Sequence, residues 1–151
     1  LICEDIITTG GSGNDDVVLF ESYGSSETFA STVTFRGGGG IDRLHFSNSR
    51  VAHEDHFVLT DTSLDFAPFF YRMLFSDVEA VRVDGGIAKS SFTLGSTSNS
   101  TSFELRGGIG DDTFRLGAGN LFSDLATNVH IAGGDDADDV ILDDRSATIG
   151  G

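Results

Sequence analysis

Apolar residues alternate with polar ones on both sides of several glycine pairs in this chain. Before the pair that begins at Gly37 come Val33 and Phe35, and after it come Leu44 and Phe46. Alternation with a period of two predicts a β-strand with one face turned inward, so each glycine pair is predicted to form a turn between two strands. The same phase recurs around the pairs that begin at Gly10, Gly85, Gly107 and Gly133.

The turns share the motif Gly-Gly-x-Gly-x-Asp-x-apolar. It occurs as GGSGNDDV from Gly10, GGGGIDRL from Gly37 and GGIGDDTF from Gly107, and in altered form as GGDDADDV from Gly133. A decayed copy, GGIAKSSF from Gly85, lacks the third glycine and the aspartate. The motif turns are 27 residues apart in the first pair and 26 in the second, which indicates an internal duplication.

The intervals between turns predict an all-β fold, a parallel β-helix or β-solenoid of about six coils with roughly 22–27 residues per coil. The 48 residues between Gly37 and Gly85 are interpreted as two coils of about 24. We expect one solenoid domain over residues 1–151, as a processed chain or a segment of a longer repetitive protein. Residues 51–77 fit the repeat poorly and are expected to form an irregular coil or side loop, where Pro68 argues against a central strand.

Composition narrows the classes of partner. The chain of 151 residues contains 20 Gly and 1 Pro, and its formal net charge is −15. This charge repels polyanions, so we expect no nucleic acid partner, whereas cations are favoured. No apolar stretch approaches the length of a membrane span. The single cysteine, Cys3, excludes an internal disulfide.

The turns place carboxylates where a hard cation could bind. Calcium takes six to eight oxygen ligands, more than one turn offers, so a complete site needs two turns stacked on each other. We predict one site between Asp15 and Asp42 and a second between Asp112 and Asp138. The same glycines can also form a tight turn without any ion. Further candidate ligands are Asp16, Asp111, Asp135, Asp136 and Asp139.

The GGxGxDxU turns resemble the repeats-in-toxin, or haemolysin-type, calcium-binding family, in which nine-residue repeats form a parallel β-roll. The longer interval in this chain is similar to a variant of large repetitive bacterial surface proteins. The resemblance implies Ca2+ as the cofactor, with the four motif aspartates as ligands. It also implies carbonyl ligands from the glycine turns, at Gly11, Gly13, Gly38, Gly40, Gly108, Gly110 and Gly134.

These observations favour a calcium-stabilised structural module that is secreted or displayed on a cell surface, as a rod, adhesin, matrix component or self-assembling fibre subunit. Expected partners are calcium, glycans and further copies of the chain, joined end to end or by strand donation. The alternatives are a carbohydrate-binding module and a polysaccharide-processing enzyme. An enzyme is disfavoured because the eight arginines are scattered through the sequence without a basic and carboxylate cluster.

Three smaller signals remain. The segment HEDH at residues 53–56 is one residue short of a zinc-binding H-E-x-x-H helix, and a solvated polar bend is the favoured interpretation. His45 and His130 fall at outward strand positions. Asn99 begins an Asn-Ser-Thr acceptor site for N-glycosylation.

Overall fold

A computed structural model describes residues 6–20, 32–67 and 71–146. Strands dominate this part of the chain, and one short helix is present. The strands are β1 (Ile6–Gly11), β2 (Asp16–Phe20), β3 (Thr32–Gly38), β4 (Arg43–Ser47), β5 (Asp55–Leu59), β6 (Ser63–Ala67), β7 (Tyr71–Ser76), β8 (Ala80–Asp84), β9 (Ser90–Leu94), β10 (Ser102–Gly108), β11 (Thr113–Leu116), β12 (Val129–Gly134) and β13 (Asp139–Leu142), and the helix is α1 (Leu121–Asp124).

The strands form two sheets. One has eight strands in the order β1-β3-β7-β6-β5-β9-β11-β13, and the other has five in the order β12-β10-β8-β4-β2. The five-stranded sheet is parallel throughout. Strand β6 runs antiparallel to both of its neighbours, β5 and β7, so the eight-stranded sheet is mixed.

The prediction of a parallel β-solenoid of about six coils is therefore wrong. Its regular progression is interrupted by β6, where Leu64 and Phe66 alternate with polar residues and are buried. This alternation gives β6 a core face of its own, so the segment enters the sheet and reverses direction. Residues 51–77, expected to form an irregular coil or side loop, contain β5, β6 and β7. Pro68 lies outside the described residues.

The chain crosses from one sheet to the other at the two opposite ends of the strands, which we call the first edge and the second edge. At the first edge it leaves the eight-stranded sheet for the five-stranded one, as from β1 to β2 and from β3 to β4. At the second edge it returns, as from β10 to β11 and from β12 to β13. These are opposite edges because β1 and β11 point the same way in their sheet, and the motif turn follows β1 but precedes β11.

The glycine turns consequently form two separate stacks. The turns that begin at Gly10 and Gly37 lie at the first edge, and those that begin at Gly85, Gly107 and Gly133 lie at the second. The interpretation of the 48-residue interval as two coils of about 24 residues is wrong. Over that interval the chain runs through β4, then three strands of the other sheet, and then β8, and so arrives at the opposite edge.

The core lies between the two sheets. Phe57, Phe92 and Phe114 stack along the eight-stranded sheet, with ring centroids 4.9 and 4.8 Å apart. Phe46 of the five-stranded sheet meets Phe57 edge to face at 5.8 Å. In-register parallel strands bring equivalent side chains together at the strand spacing, which accounts for the aromatic column.

The two outermost strands of the eight-stranded sheet carry exposed apolar side chains. Ile6 on β1 is 50% exposed, and Val140 and Leu142 on β13 are 55% and 59% exposed. Association of copies through the ends of the sheets stays a prediction.

Candidate calcium-binding turns

Backbone hydrogen bonds hold the two turns of the first edge together. The N–H of Gly39 donates to the carbonyl oxygen of Gly11 at 2.8 Å, and the N–H of Arg43 donates to that of Asp15 at 2.8 Å. Strand register agrees, because Gly11 is paired with Gly38. The repeat interval of 27 residues therefore places one motif turn directly on the other.

The aspartates of these turns form a column. The N–H of Asp15 donates to Oδ1 of Asp42 at 2.8 Å, and the N–H of Asp42 donates to Oε2 of Glu79 at 2.7 Å. The predicted ligands Asp15 and Asp42 are thus neighbours. Glu79 extends the column, although sequence reasoning missed it because it lies in the turn between β7 and β8, which contains no glycine motif.

A second column lies at the second edge. The N–H of Asp112 donates to Oδ1 of Asp138 at 3.1 Å, and the N–H of Ser90 donates to Oδ1 of Asp112 at 2.6 Å. The predicted ligands Asp112 and Asp138 are also neighbours. Ser90 takes the aspartate position of the decayed turn, where it keeps the backbone contact but brings no carboxylate of its own.

Asp55 continues the second column on the other side of Ser90, with which it is paired in register. It is fully buried, and its carboxylate accepts a hydrogen bond from Asn48 Nδ2 at 2.5 Å and lies 2.9 Å from His53 Nδ1. The expectation that the HEDH segment is a solvated polar bend is therefore wrong for Asp55, which is buried in β5. The signal that could have identified it is its position immediately before the apolar alternation of β5.

The first glycine of each motif leaves room for the aspartate five residues later. A Cβ at Gly37 would lie 2.5 Å from Oδ2 of Asp42, and one at Gly107 would collide with Asp112. The same pairing holds for Gly10 with Asp15, Gly85 with Ser90 and Gly133 with Asp138. The first position must therefore be glycine, because the side chain five residues later occupies the space that a Cβ would need.

The second glycine is required for two reasons. Gly38, Gly108 and Gly134 have φ values of 101°, 108° and 117°, which favour glycine. A Cβ at any of them would also collide with the carbonyl oxygen of the neighbouring turn. Gly11, at φ 129°, faces no such neighbour, because its turn is the outermost one described.

The remaining predicted ligand residues lie around the tips of the turns. Gly40 and Gly110 have positive φ, whereas a Cβ at Gly13 would meet open space. Asp136, itself at φ 74°, accepts a hydrogen bond from the N–H of Gly110 at 3.2 Å. Asp111 accepts one in return from the N–H of Ala137 at 3.1 Å. These carboxylates fasten adjacent tips to each other.

The columns contain carboxylate oxygens that fit a cation. Oδ2 of Asp15, Asp42 and Asp112 is buried and has no hydrogen-bond partner. A buried acceptor without a partner is costly, and a divalent cation would satisfy it. Among the described residues, however, no group of three or more His, Cys, Asp or Glu side chains could hold a metal ion. Calcium at these turns would thus need backbone carbonyls as additional ligands, which is in keeping with its preference for oxygen.

The electrostatics of Asp112 point the same way. Burial raises its pKa to about 6, the hydrogen bond from Ser90 opposes this rise, and the charges of Asp138, Asp111 and Asp136 add to it. The carboxylate is therefore costly to keep charged at neutral pH in the absence of a nearby positive charge.

Asn99 is exposed in the turn between β9 and β10. The hydroxyl of Thr101, the third residue of the acceptor site, is buried and donates to the carbonyl oxygen of Val78 at 2.7 Å. Glycosylation at Asn99 stays a prediction.

Comparison of the chain with protein-family models, curated proteins and solved structures finds no match. In the described part of the chain, no helix is long and apolar enough to cross a membrane. The resemblance to the haemolysin-type repeats thus depends on the motif residues alone.

Proposed function

We propose that this domain is a calcium-stabilised structural module of an extracellular protein. The observation that carries the proposal is the pair of buried carboxylates at Asp42 and Asp112. These residues are 0% and 1% exposed, and each has one oxygen without a partner. A carboxylate so deeply buried is normally paired with a cation or fully hydrogen-bonded.

Two groups of residues would hold calcium. Asp15 and Asp42 would contribute at the first edge, and Asp112 and Asp138 at the second, each pair supplemented by carbonyl oxygens of the glycine turns. Bound calcium would supply positive charge between the carboxylates of two adjacent turns in the same stack. The turns would then be held together by ionic contacts in addition to the backbone hydrogen bonds.

The net charge of the chain supports the same proposal. A formal charge of −15 on 151 residues destabilises the compact state by self-repulsion, and calcium bound in the columns would reduce it. Sites with few carboxylates bind calcium weakly, with dissociation constants typical of extracellular modules. Calcium at extracellular concentration would occupy such sites, which is why we place the module outside the cell.

Thermal unfolding in calcium and in EGTA tests the proposal. At a calcium concentration about 100 times the dissociation constant, one site that binds only the folded state adds about 2.7 kcal/mol of stability. We expect a clear rise in Tm with calcium and a smaller one with magnesium, which prefers octahedral sites with retained waters. A Tm that is the same in calcium and in EGTA would contradict the proposal.

A further inference from the structure

The outer face of the five-stranded sheet contains a groove of about 710 Å3 that crosses all five strands. Three consecutive residues of each strand line it, or in the case of β12 the residue before the strand and its first two. The middle row, which includes Leu44, Val81 and Phe103, sends its side chains into the core, so the backbone forms the floor. With a strand spacing of about 4.8 Å, four intervals make the groove about 19 Å long.

The two walls of this cross-strand groove differ in height. One wall is low only at its centre, where Ala80 and Ser102 are paired in register and have short side chains. Towards its ends the same wall contains the longer residues Asp16, Arg43 and Asn128. On the other side lie His45, Arg82 and Glu104, paired in register on three adjacent strands. The short residues open the groove towards solvent, while the long polar residues offer donors and acceptors along its length.

The polar wall is held in place by ion pairs beside the groove. Arg82 donates two hydrogen bonds to the carboxylate of Asp84, at 2.8 and 3.0 Å, and His45 Nε2 lies 2.7 Å from the same carboxylate. Glu104 accepts hydrogen bonds from Arg106 at 2.9 and 2.6 Å. Since the pair with Asp84 takes two of the five guanidinium N–H donors, Arg82 keeps donors for a ligand in a fixed position.

The groove is close to neutral although the chain is strongly acidic. Its carboxylates, Asp16 and Glu104, are balanced by Arg43 and Arg82. At one end of the groove, Nη1 of Arg43 lies 3.7 Å from Oδ1 of Asp16. A polyanion would find no excess positive charge here and would be repelled by the rest of the molecule. Arg43, Arg82 and Arg106 are far apart in the sequence, but strand register places all three on this sheet face.

We propose that the cross-strand groove binds a neutral linear polysaccharide, with Arg82 and Glu104 hydrogen-bonding to sugar hydroxyls and the low wall at Ala80 and Ser102 admitting the chain. The length and openness of the groove suit an extended polymer better than a compact small molecule. Its volume lies within the range of ligand sites, about 300–1,000 Å3. The low wall adjoins the first acidic column, since the N–H of Ala80 donates to the carbonyl oxygen of Asp42 at 3.2 Å and that of Ser102 to the carbonyl oxygen of Glu79 at 2.9 Å, but the inference uses none of the column's carboxylates.

Affinity electrophoresis and titration calorimetry in calcium buffer test this inference. The probes are the neutral linear polymers pullulan, glucomannan and mixed-linkage β-glucan, with polygalacturonate as the acidic one. We expect at least one neutral polymer to bind. Arg82→Met should weaken this binding at least about tenfold, since it removes hydrogen bonds to the ligand. Ser102→Leu should weaken it as well by obstructing the open side. Ser102 is exposed, and its hydroxyl donates to the carbonyl oxygen of Glu79 at 2.9 Å, so a thermal melt of the variant checks that the fold survives the loss of this contact.

The matched control is Arg72→Met. Arg72 makes an equivalent two-bond pair with Asp65, at 2.6 and 3.0 Å, on the eight-stranded sheet. The Arg72→Met variant should bind the polymer with the same affinity as the parent protein. Binding of no neutral polymer, binding of polygalacturonate alone, or affinity unchanged in both groove variants would each overturn the proposal.

Discussion

The carboxylate of Asp112 fills the space beside Gly107 in which a side chain at that position would lie. The backbone carbonyl of Gly133 approaches the same space from the neighbouring turn. Glycine is thus needed here for packing, and the aspartate five residues later is part of the reason. The same relationship links the calcium proposal to the fold, because the residue that would bind the ion also closes the turn.

Gly107→Ala should lower the free energy of unfolding by about 1–3 kcal/mol, the usual effect of forcing atoms into a filled space. Urea denaturation measures this change. The control is Gly39→Ala, because a Cβ at Gly39 meets nothing within 4 Å and its φ lies outside the left-handed region. The control should change stability by no more than about 0.5 kcal/mol. Equal effects of the two substitutions would show that the packing argument is incorrect.

Asp112→Asn separates a calcium ligand from a structural hydrogen-bond acceptor. Its amide oxygen can still accept the N–H of Ser90, so stability in EGTA should be equal to that of the parent or higher, since a buried charge is removed. The stabilisation by calcium should shrink, because a neutral amide is a poorer ligand for a hard cation. Paired melts in calcium and EGTA measure both effects.

The matched control for that experiment is Asp65→Asn, which changes a partly exposed aspartate of β6 that belongs to neither column and is no predicted ligand. It should keep the full response to calcium. If Asp112→Asn also keeps it, Asp112 is only a structural acceptor.

The lowered pKa of Asp143 predicts how the free energy of unfolding changes in acid. Hydrogen bonds and charge from Arg145, aided by Arg115, lower its pKa to about 2 despite opposing desolvation. A carboxylate whose pKa is lower in the folded state binds fewer protons there, so its contribution is present above about pH 4 and lost as the pH falls towards 2. Asp143→Asn should flatten the pH dependence of unfolding between pH 4 and pH 2. Identical slopes for variant and parent would refute this assignment.

Phe92 is the middle ring of the aromatic column, stacked on Phe57 and Phe114. Phe92→Ala should lower the free energy of unfolding by about 3–5 kcal/mol, the range for removing a buried aromatic ring. Phe122→Ala is the control, because Phe122 is 97% exposed. Chemical denaturation should give a stability near that of the parent for the control, and a small loss in Phe92→Ala would mean that the column packs loosely.

Local patterns predicted the turns well and the arrangement of the strands poorly. The intervals of 27 and 26 residues correctly brought Asp15 beside Asp42 and Asp112 beside Asp138. These are neighbouring turns of one stack, and a constant interval is enough to place them. Whether two distant motifs share an edge depends on every strand between them, and no single interval contains that information.

The reversal at β6 shows why. The chain turns back between β5 and β6 without glycine or proline, through a hydrogen bond from the N–H of Thr60 to the carbonyl oxygen of Ser63 at 2.9 Å. Residues 60–63 are Thr-Asp-Thr-Ser, a cluster that is typical of a turn, but these residues do not show whether the strand after them runs parallel or antiparallel to the strand before them. Sequence analysis missed Glu79 and Asp55 as members of the acidic columns for a related reason. Each is brought into its column by strand register and lies outside any motif.

The two acidic columns lie at opposite ends of the strands, and this separation has a consequence for how the domain would respond to a chelator. No residue belongs to both columns, so an ion lost from one leaves every ligand of the other in place. Gradual withdrawal of calcium should therefore loosen one margin before the other, in two resolvable stages.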